Sequence, residues 1–292
     1  MIIIESAGLT DVGKKRKGNE DAFLIDETNQ LYVVSDGMGG HLAGEVASNI
    51  VVETFSHSMK DGRMESSEII DETLSSDANI VLNCIHAANK TVFQESRKNE
   101  ECRGMGATVS AIYCTDSTLI AANVGDSPIY LVRHGEIELL SVMHTVKAEQ
   151  DAINPERAKL LDERFHHMLT RAVGVAETIE PDVSETPCFE NDIVVFCSDG
   201  LSNLVSPKEM GEITTQNSAE AACRLFIDMA NERGGDDNIT VIVLKIKKLI
   251  SPINRVMTAV STVLSPGYHA NMFGTNIPRV PPAIHGMFLP KI

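Results

Sequence analysis

Two segments of the sequence each run from apolar residues into the same three residues, Ser-Asp-Gly. Residues 32–37 read Tyr-Val-Val-Ser-Asp-Gly and residues 195–200 read Val-Phe-Cys-Ser-Asp-Gly. A single strand that ends in Asp-Gly is usually followed by a turn, because Asp bonds nearby amides and Gly permits unusual torsion angles. Two such strand ends can also bring Asp36 and Asp199 to one rim of the fold. The repeat therefore leaves two readings open, simple turns or a shared carboxylate site.

More carboxylates occupy similar positions along the chain. They lie in Gly125-Asp126-Ser127 after an apolar segment, in Gly235-Asp236-Asp237-Asn238 before the last one, and in Asn19-Glu20-Asp21 after the basic run of residues 14–17. If these groups converge, their like charges repel one another unless cations neutralise them. Oxygen ligands select hard ions such as Mg²⁺ or Mn²⁺ rather than zinc. The pattern indicates, in outline, the site of a binuclear hydrolase.

Eight motifs together resemble those of a known family, in their order and their spacing. They are Arg16-x-x-Asn19-Glu20-Asp21, Asp36-Gly37-Met38-Gly39-Gly40-His41, Gly44-Glu45-Val46-Ala47-Ser48, Gly104-Met105-Gly106-Ala107-Thr108, Asn123-Val124-Gly125-Asp126-Ser127, Leu169-Thr170-Arg171-Ala172, Ser198-Asp199-Gly200-Leu201 and Gly235-x-Asp237-Asn238-Ile239-Thr240. This series resembles the bacterial-type PP2C (PPM) phosphatases, which are metal-dependent protein serine/threonine phosphatases. The resemblance spans about residues 8–246. One Asp-Gly pair carries little information, whereas eight ordered motifs are highly specific.

The resemblance implies a set of metal ligands. Asp36 is similar to the carboxylate that bridges two Mn²⁺ or Mg²⁺ ions, with the Gly37 carbonyl as a further ligand. Asp199 and Asp237 resemble ligands of the first ion. Asp237 is assigned in preference to Asp236 because the family aspartate directly precedes Asn-Ile-Thr.

Two further acidic residues resemble weaker ligands. Glu20 is expected to bind the second ion through water or at its edge. Asp126 resembles the aspartate that, with Asp199, holds a weaker third ion in bacterial members. The alternative for Asp126 is a turn beside Ser127-Pro128.

The expected reaction is hydrolysis of phosphoserine and phosphothreonine on proteins by a water that bridges two ions, reversing Ser/Thr kinase signalling. Arg16 resembles the arginine that grips the substrate phosphate, and His41 is the best candidate for the general acid. A guanidinium matches phosphate geometry, and His titrates in the useful pH range. The alternatives are a solvated basic loop for Arg16 and a helix start or a local hydrogen bond for His41.

Two departures from the family pattern concern substrate choice. Pro128 stands where many bacterial relatives have arginine, and Met143-His144-Thr145 stands where they tend to have Asp-His-Ser. The second stretch leads into a flap at about residues 147–166, which we expect to shape the choice of protein substrate. We read the pair His166-His167 as surface or packing. A pseudophosphatase that only binds, or a small-molecule phosphohydrolase, are the rival functions.

The segments that must position these residues alternate between strand-like and helix-like. Val- and Ile-rich runs predict strands at 31–34, 107–113, 119–124, 129–132, 137–140, 193–197 and 239–246. Apolar spacing predicts helices over 43–55 and 80–93, and capping signals predict further helices after Ser206 and Ser218. We expect an α+β fold. The resemblance implies a PP2C-like four-layer α-β-β-α sandwich, with two antiparallel sheets flanked by helix pairs.

The composition changes beyond residue 248, which predicts a phosphatase domain at 1–248 and a Pro-containing tail at 249–292. The tail has no Asp or Glu, three basic residues and six of the eleven prolines. The other 22 basic and 41 acidic residues give residues 1–248 a formal charge of −19. The tail is read either as a flexible segment or as one that docks on the acidic body or on a partner.

Composition and charge exclude several classes of function. The net charge of −16 argues against nucleic acid and against an anionic membrane surface. The N-terminus lacks a signal-peptide pattern, and no apolar run approaches the ~20 residues of a membrane span. Six scattered cysteines indicate buried, reduced thiols of a cytoplasmic protein. The expected partners are phosphorylated proteins and a cognate Ser/Thr kinase, and we expect a monomer.

Overall fold

A computed structural model of the chain describes residues 2–39, 42–61, 70–162 and 165–249. The strands are β1 Ile2–Asp11, β2 Asp21–Asp26, β3 Leu31–Met38, β4 Gly106–Ala107, β5 Val109–Cys114, β6 Thr118–Val124, β7 Ile129–Arg133, β8 Glu136–Leu139, β9 Asp182–Pro187, β10 Ile193–Cys197 and β11 Ile239–Leu249. The α-helices are α1 Leu42–Asp61, α2 Ser76–Lys98, α3 Val146–Ile153, α4 Pro155–Ala158, α5 Asp199–Ser202, α6 Pro207–Gln216 and α7 Ala219–Glu232. Residues 250–292 lie outside the described part, so the domain boundary after residue 248 stays a prediction.

The strands form two antiparallel sheets. One sheet has the order β1-β11-β10-β7-β8, and the other has the order β2-β3-β5-β6-β9, with β4 paired to β3. Side chains alternate along each strand. In β3, Leu31 and Val33 therefore face the core shared with α1 and α2, whereas Tyr32 and Val34 face the core between the two sheets. A third core joins the other sheet to α6 and α7. These three cores separate four layers, and the predicted α-β-β-α sandwich is confirmed.

Local sequence signals account for several of these elements. Ser206 and Glu209 form the predicted capping box at the start of α6, in which Glu209 Oε2 accepts from the Ser206 amide at 2.9 Å. Ser218 caps α7 as predicted. His134 and Gly135 have φ of 54° and 82° in the turn between β7 and β8, and they close a hairpin between these two strands.

The structure adds elements that the apolar pattern does not indicate. β1 mixes small and polar residues with apolar ones, and β9 reads Asp-Val-Ser-Glu-Thr-Pro, so neither has a clear alternation. β2 is a third strand that was not predicted. Two short helices, α3 and α4, lie in the flap, and α3 buries none of its residues.

Two predictions from composition are also tested by the structure. All six cysteines are buried and unpaired, as predicted. Among the helices of the described residues, none is long and apolar enough to cross a membrane.

Candidate active site

Asp36 and Asp199 reach one rim of the sandwich from opposite sheets. Asp36 lies near the end of β3, where its amide donates a hydrogen bond to the Thr108 hydroxyl oxygen at 2.9 Å. Asp199 is the first residue of α5, directly after β10. The charge of Asp199 raises the pKa of Asp36, so the two carboxyl groups lie close to each other. The two Ser-Asp-Gly ends predicted from the sequence therefore meet in space.

Four aspartates form the acidic cluster: Asp21, Asp36, Asp126 and Asp199. Burial raises the pKa of Asp36 well above its usual range, and the charges of Asp21, Asp199 and Asp126 raise it further. Burial, followed by the charge of Asp199, raises the pKa of Asp126 to about 7. The groups thus lie close enough to oppose one another's ionisation.

Asp21 is a member of this cluster that the sequence interpretation did not single out. It is opposite Asp36 in the register of β2 and β3, and it is only 8% exposed. Ser198 donates a hydrogen bond to its Oδ2 at 2.7 Å, while its Oδ1 has no partner. Burial raises the pKa of Asp21 to about 6, although hydrogen bonds from Thr240 and Ser198 act to lower it. Its place directly after Glu20 in a matched motif is the signal that could have identified it.

Glu20 and Gly37 lie where β3 passes the start of α1. The Gly37 amide donates to the Glu20 carbonyl at 3.1 Å. A Cβ on Gly37 would overlap the Gly44 carbonyl, and a Cβ on Gly44 would overlap the Glu20 carboxylate. Only glycine therefore allows this approach, which sets the Glu20 carboxylate beside the backbone next to Asp36.

Asp237 and Asn238 join the last strand to the loop that carries Arg16. The Arg16 guanidinium bonds Asp237 Oδ2 at 2.7 Å, and the Asn238 amide donates to Asp237 Oδ1 at 2.8 Å. Asp237, Glu20 and Asp36 all act electrostatically on Arg16. Asp236 points elsewhere, because its side chain is 70% exposed and faces Lys15 at 3.6 Å. This contrast supports the choice of Asp237 as the ligand.

The Asn238 side chain connects Glu20 with the loop that carries Arg16. Its Oδ1 accepts from the Glu20 amide at 2.8 Å, and its Nδ2 donates to the carbonyls of Val12 and Gly18 at 2.9 Å each. Asn238 is only 3% exposed. One buried amide therefore fixes Glu20, Asp237 and both ends of the Arg16 loop relative to one another.

His144 holds the turn that carries Asp126. The Gly125 amide donates to His144 Nδ1 at 3.0 Å, and the His144 amide donates to the Gly125 carbonyl at 2.9 Å. Because Nδ1 accepts, the neutral ring carries its proton on Nε2, which lies 2.6 Å from Asp182 Oδ2. Arg171 donates to the same oxygen at 3.0 Å. The motif residue Arg171 thus supports Asp182, and through it His144, behind the rim.

His167 lies nearer the site than its sequence position suggested. The pKa of Asp199 is raised by burial and by the charge of Asp237, whereas His167 acts to lower it. His167 is exposed, as the surface interpretation predicted, and it directly follows the flap. Its effect on the pKa of Asp199 is a feature that the sequence interpretation did not anticipate. His41, the predicted general acid, lies outside the described residues, and its role stays a prediction.

The donor set of the cluster fits divalent cations. Its side chains are carboxylates from separate elements, and the charges of Asp21, Asp199 and Asp126 oppose the ionisation of Asp36. Hard oxygen donors of this kind suit Mn²⁺ or Mg²⁺. Within the described residues, no three His, Cys, Asp or Glu side chains stand as a preformed coordination shell. Asp237 bonds Arg16, and Asp21 accepts a hydrogen bond from Ser198.

Comparisons with known proteins find a family model, related sequences and solved structures that match this chain. Residues 7–239 match the model of the family described as protein phosphatase 2C. The chain is 32% identical over 250 residues to a serine/threonine phosphatase stp from Listeria welshimeri, covering 81% of this chain and 93% of that protein. The crystal structure of the Mycobacterium tuberculosis serine/threonine phosphatase PstP/Ppp matches with a TM-score of 0.73 and 27% identity, covering 84% of this chain and 99% of that one. A structure of the PstP catalytic domain in complex with two manganese ions matches with a TM-score of 0.72 and 27% identity, covering 85% and 100%.

Proposed function

The chain belongs to the protein phosphatase 2C family of protein serine/threonine phosphatases, and we propose that it uses two bound Mn²⁺ or Mg²⁺ ions to release phosphate from phosphoserine and phosphothreonine on proteins. The observation that carries the proposal is the acidic cluster, in which Asp21 lies opposite Asp36 on the neighbouring strand and the charges of Asp21, Asp199 and Asp126 raise the pKa of Asp36. The two manganese ions bound by the similar PstP catalytic domain support the choice of cofactor.

Asp36, with the Gly37 carbonyl, would hold both ions, while Asp199 and Asp237 would complete the first and Glu20 the second. When bound, two such ions supply a nucleophilic water at neutral pH and neutralise charge on the phosphate oxygens. Asp126 is a buried carboxylate on the Asp199 side of the cluster, where a third, weaker ion would sit.

Arg16 would bind the phosphate of the substrate. Its side chain is 48% exposed and its guanidinium already bonds one carboxylate oxygen, Asp237 Oδ2. A guanidinium forms paired hydrogen bonds with phosphate oxygens. With Asp237 holding an ion, the Arg16 guanidinium would be free to bind the substrate phosphate. Protonation of the serine or threonine leaving group is assigned to His41 only by resemblance.

By releasing phosphate from these side chains, the enzyme would reverse the action of a Ser/Thr kinase. The kinase partner, the monomeric state and the cytoplasmic location stay predictions.

A substrate panel tests the proposal. Purified protein with Mn²⁺ is assayed for phosphate release from phosphoserine, phosphothreonine and phosphotyrosine peptides and from small phosphate esters. We expect turnover of the first two peptides with the highest kcat/KM. Turnover of small esters alone would favour a small-molecule phosphohydrolase. No turnover of any substrate by the folded, Mn²⁺-loaded protein would favour a pseudophosphatase.

A further inference from the structure

The basic loop, defined as Lys14, Lys15, Arg16 and Lys17, is a cationic patch on an acidic protein. All four side chains are exposed. The whole chain carries 41 acidic and 25 basic residues, so four consecutive cations stand out against their surroundings. Like charges in a row repel one another, and a protein keeps them together where they meet a negatively charged partner or lie free in solvent.

The loop is held by main-chain contacts on both sides. The amides of Lys14 and Lys15 donate to the Gly235 carbonyl at 2.7 and 3.2 Å. Asn238 Nδ2 binds the carbonyls of Val12 and Gly18, which flank the loop. Gly13 has a φ of +78°, and a Cβ there would overlap the Asp237 carbonyl. The cations are therefore presented on a backbone whose position is fixed, which lowers the entropy lost when they bind a partner.

The position of the loop links it to the reaction. Arg16 points to Asp237 and into the rim of the acidic cluster, while Lys15 points to the exposed Asp236. Lys14 and Lys17 flank this pair along the chain. Because Lys17 and Lys14 are only one and two residues from Arg16, the residues that neighbour a phosphate bound by Arg16 would come within reach of these lysines.

We propose that the basic loop selects phosphorylated sites whose neighbouring residues are acidic, such as Asp, Glu or a second phosphorylated residue. This inference rests on the proposed function and names the substrate class of that same site. The carboxylates of the rim repel acidic residues of a substrate, whereas the basic loop attracts them. The basic loop therefore offers an acidic flank a favourable place to lie, and a substrate with a basic flank is repelled there. Each exposed ion pair contributes little binding free energy. Two or three such pairs between the basic loop and an acidic flank would therefore raise kcat/KM by roughly tenfold.

Peptides that differ only in their flanks test this inference. One phosphothreonine peptide is made with Asp and Glu, with Ala and Gln, or with Lys at the flanking positions, and kcat/KM is measured for each with Mn²⁺. For the wild-type protein we expect kcat/KM to be about tenfold higher for the acidic than for the neutral peptide. The ratio should fall toward one as salt is added, because salt screens exposed charges.

Charge-reversal variants test whether the basic loop is the source of the preference for the acidic peptide. K14E/K17E should abolish the preference for the acidic peptide or invert it. K90E/K248E is the matched control, because it changes the net charge equally through two exposed lysines elsewhere. Lys90 lies in α2, and Lys248 is about 30 Å along β11 from the strand end at the rim, at about 3.3 Å per residue. The control should keep the wild-type ratio. If charge reversal prevents folding, K14Q/K17Q removes the two charges and should bring the ratio near one.

Equal kcat/KM for the three peptides in the wild-type protein would overturn the inference. A preference that survives in K14E/K17E, or that is lost equally in K90E/K248E, would overturn it too, because the basic loop would not be its source. Failure of the proposed function has a different signature: none of the three peptides would be turned over with Mn²⁺.

Discussion

Single residues at the rim differ in what they can bind, and the neighbours Asp236 and Asp237 are the clearest pair. Asp237 bonds Arg16 and the Asn238 amide, whereas Asp236 is exposed and faces Lys15. We predict that Asp237→Asn, which removes a charge with little change in volume, weakens Mn²⁺ binding and lowers kcat by about 100-fold or more. Asp236→Asn is the matched control and should change kcat by less than about twofold, since exposed pairs contribute little. A normal rate in Asp237→Asn together with a loss in Asp236→Asn would reverse the ligand assignment.

Asp126 makes the stability of the metal-free protein depend on pH. Burial raises its pKa from 3.8 to about 7. The folded protein therefore keeps a proton on Asp126 up to a higher pH than the unfolded chain does. The stability that this protonation contributes is fully present below about pH 4 and is lost as the pH rises through 7. At pH 8 the cost of ionising it in the folded protein is at most about 4 kcal/mol. We predict that Asp126→Asn raises the Tm of the EDTA-treated protein at pH 8. The Tm of this variant should also fall less than that of the wild type between pH 5 and 8.

The control for this prediction is Asp151→Asn, which makes the same charge change at an exposed residue of α3. Its Tm should follow the wild-type pH profile. A pH profile of Asp126→Asn that is identical to the wild type would contradict the assigned environment of Asp126.

The flap and the turn that carries Asp126 are separate elements joined through His144. Its ring accepts from Gly125 and faces Asp182, and the next residue, Thr145, caps α3 of the flap. We predict that His144→Leu leaves the Gly125 amide without a partner, lowers the free energy of unfolding by about 1–3 kcal/mol and weakens the site at Asp126. His144→Asn keeps an acceptor near Nδ1 and should recover most of the lost stability and activity. Thermal unfolding and kcat/KM at several Mn²⁺ concentrations measure both effects. Equal losses in the two variants would show that the Gly125 contact is not what matters.

The strands and helices differ in how well the local sequence predicts them. Strands such as β10, with five consecutive apolar residues, and the cap of α6 at Ser206 follow from local signals, because residue type alone determines them. β1 and β9 form by pairing with β11 and β6, and such pairing over long distances in sequence leaves little trace in their own residues. Asp21 and Asn238 stand in the quoted motifs, but their bonds to Ser198 and to the Glu20 amide join segments far apart along the chain, so the sequence did not show what these residues contact.

At the scale of the whole molecule, the acidic cluster should make stability depend on divalent cations. Ions that bind the folded state alone stabilise it by about 2.7 kcal/mol at 100 times the Kd. For a domain of this size the corresponding rise in Tm is about 5–10 °C. We predict that Mn²⁺ raises the Tm of the EDTA-treated protein by this amount at pH 7.5. Asp36→Asn should lose most of the rise. A rise of the same size with NaCl at equal ionic strength would instead indicate general screening of the net charge of −16.

The most direct test of the metal-dependent phosphatase assignment is the rate of phosphate release from a phosphothreonine peptide, measured against free Mn²⁺ after removal of metal with EDTA. We predict no detectable release without metal and a saturable recovery of at least about 100-fold as Mn²⁺ is added, with Asp36→Asn failing to recover at the same concentrations. Release that persists in EDTA, or a full recovery in Asp36→Asn, would contradict the account.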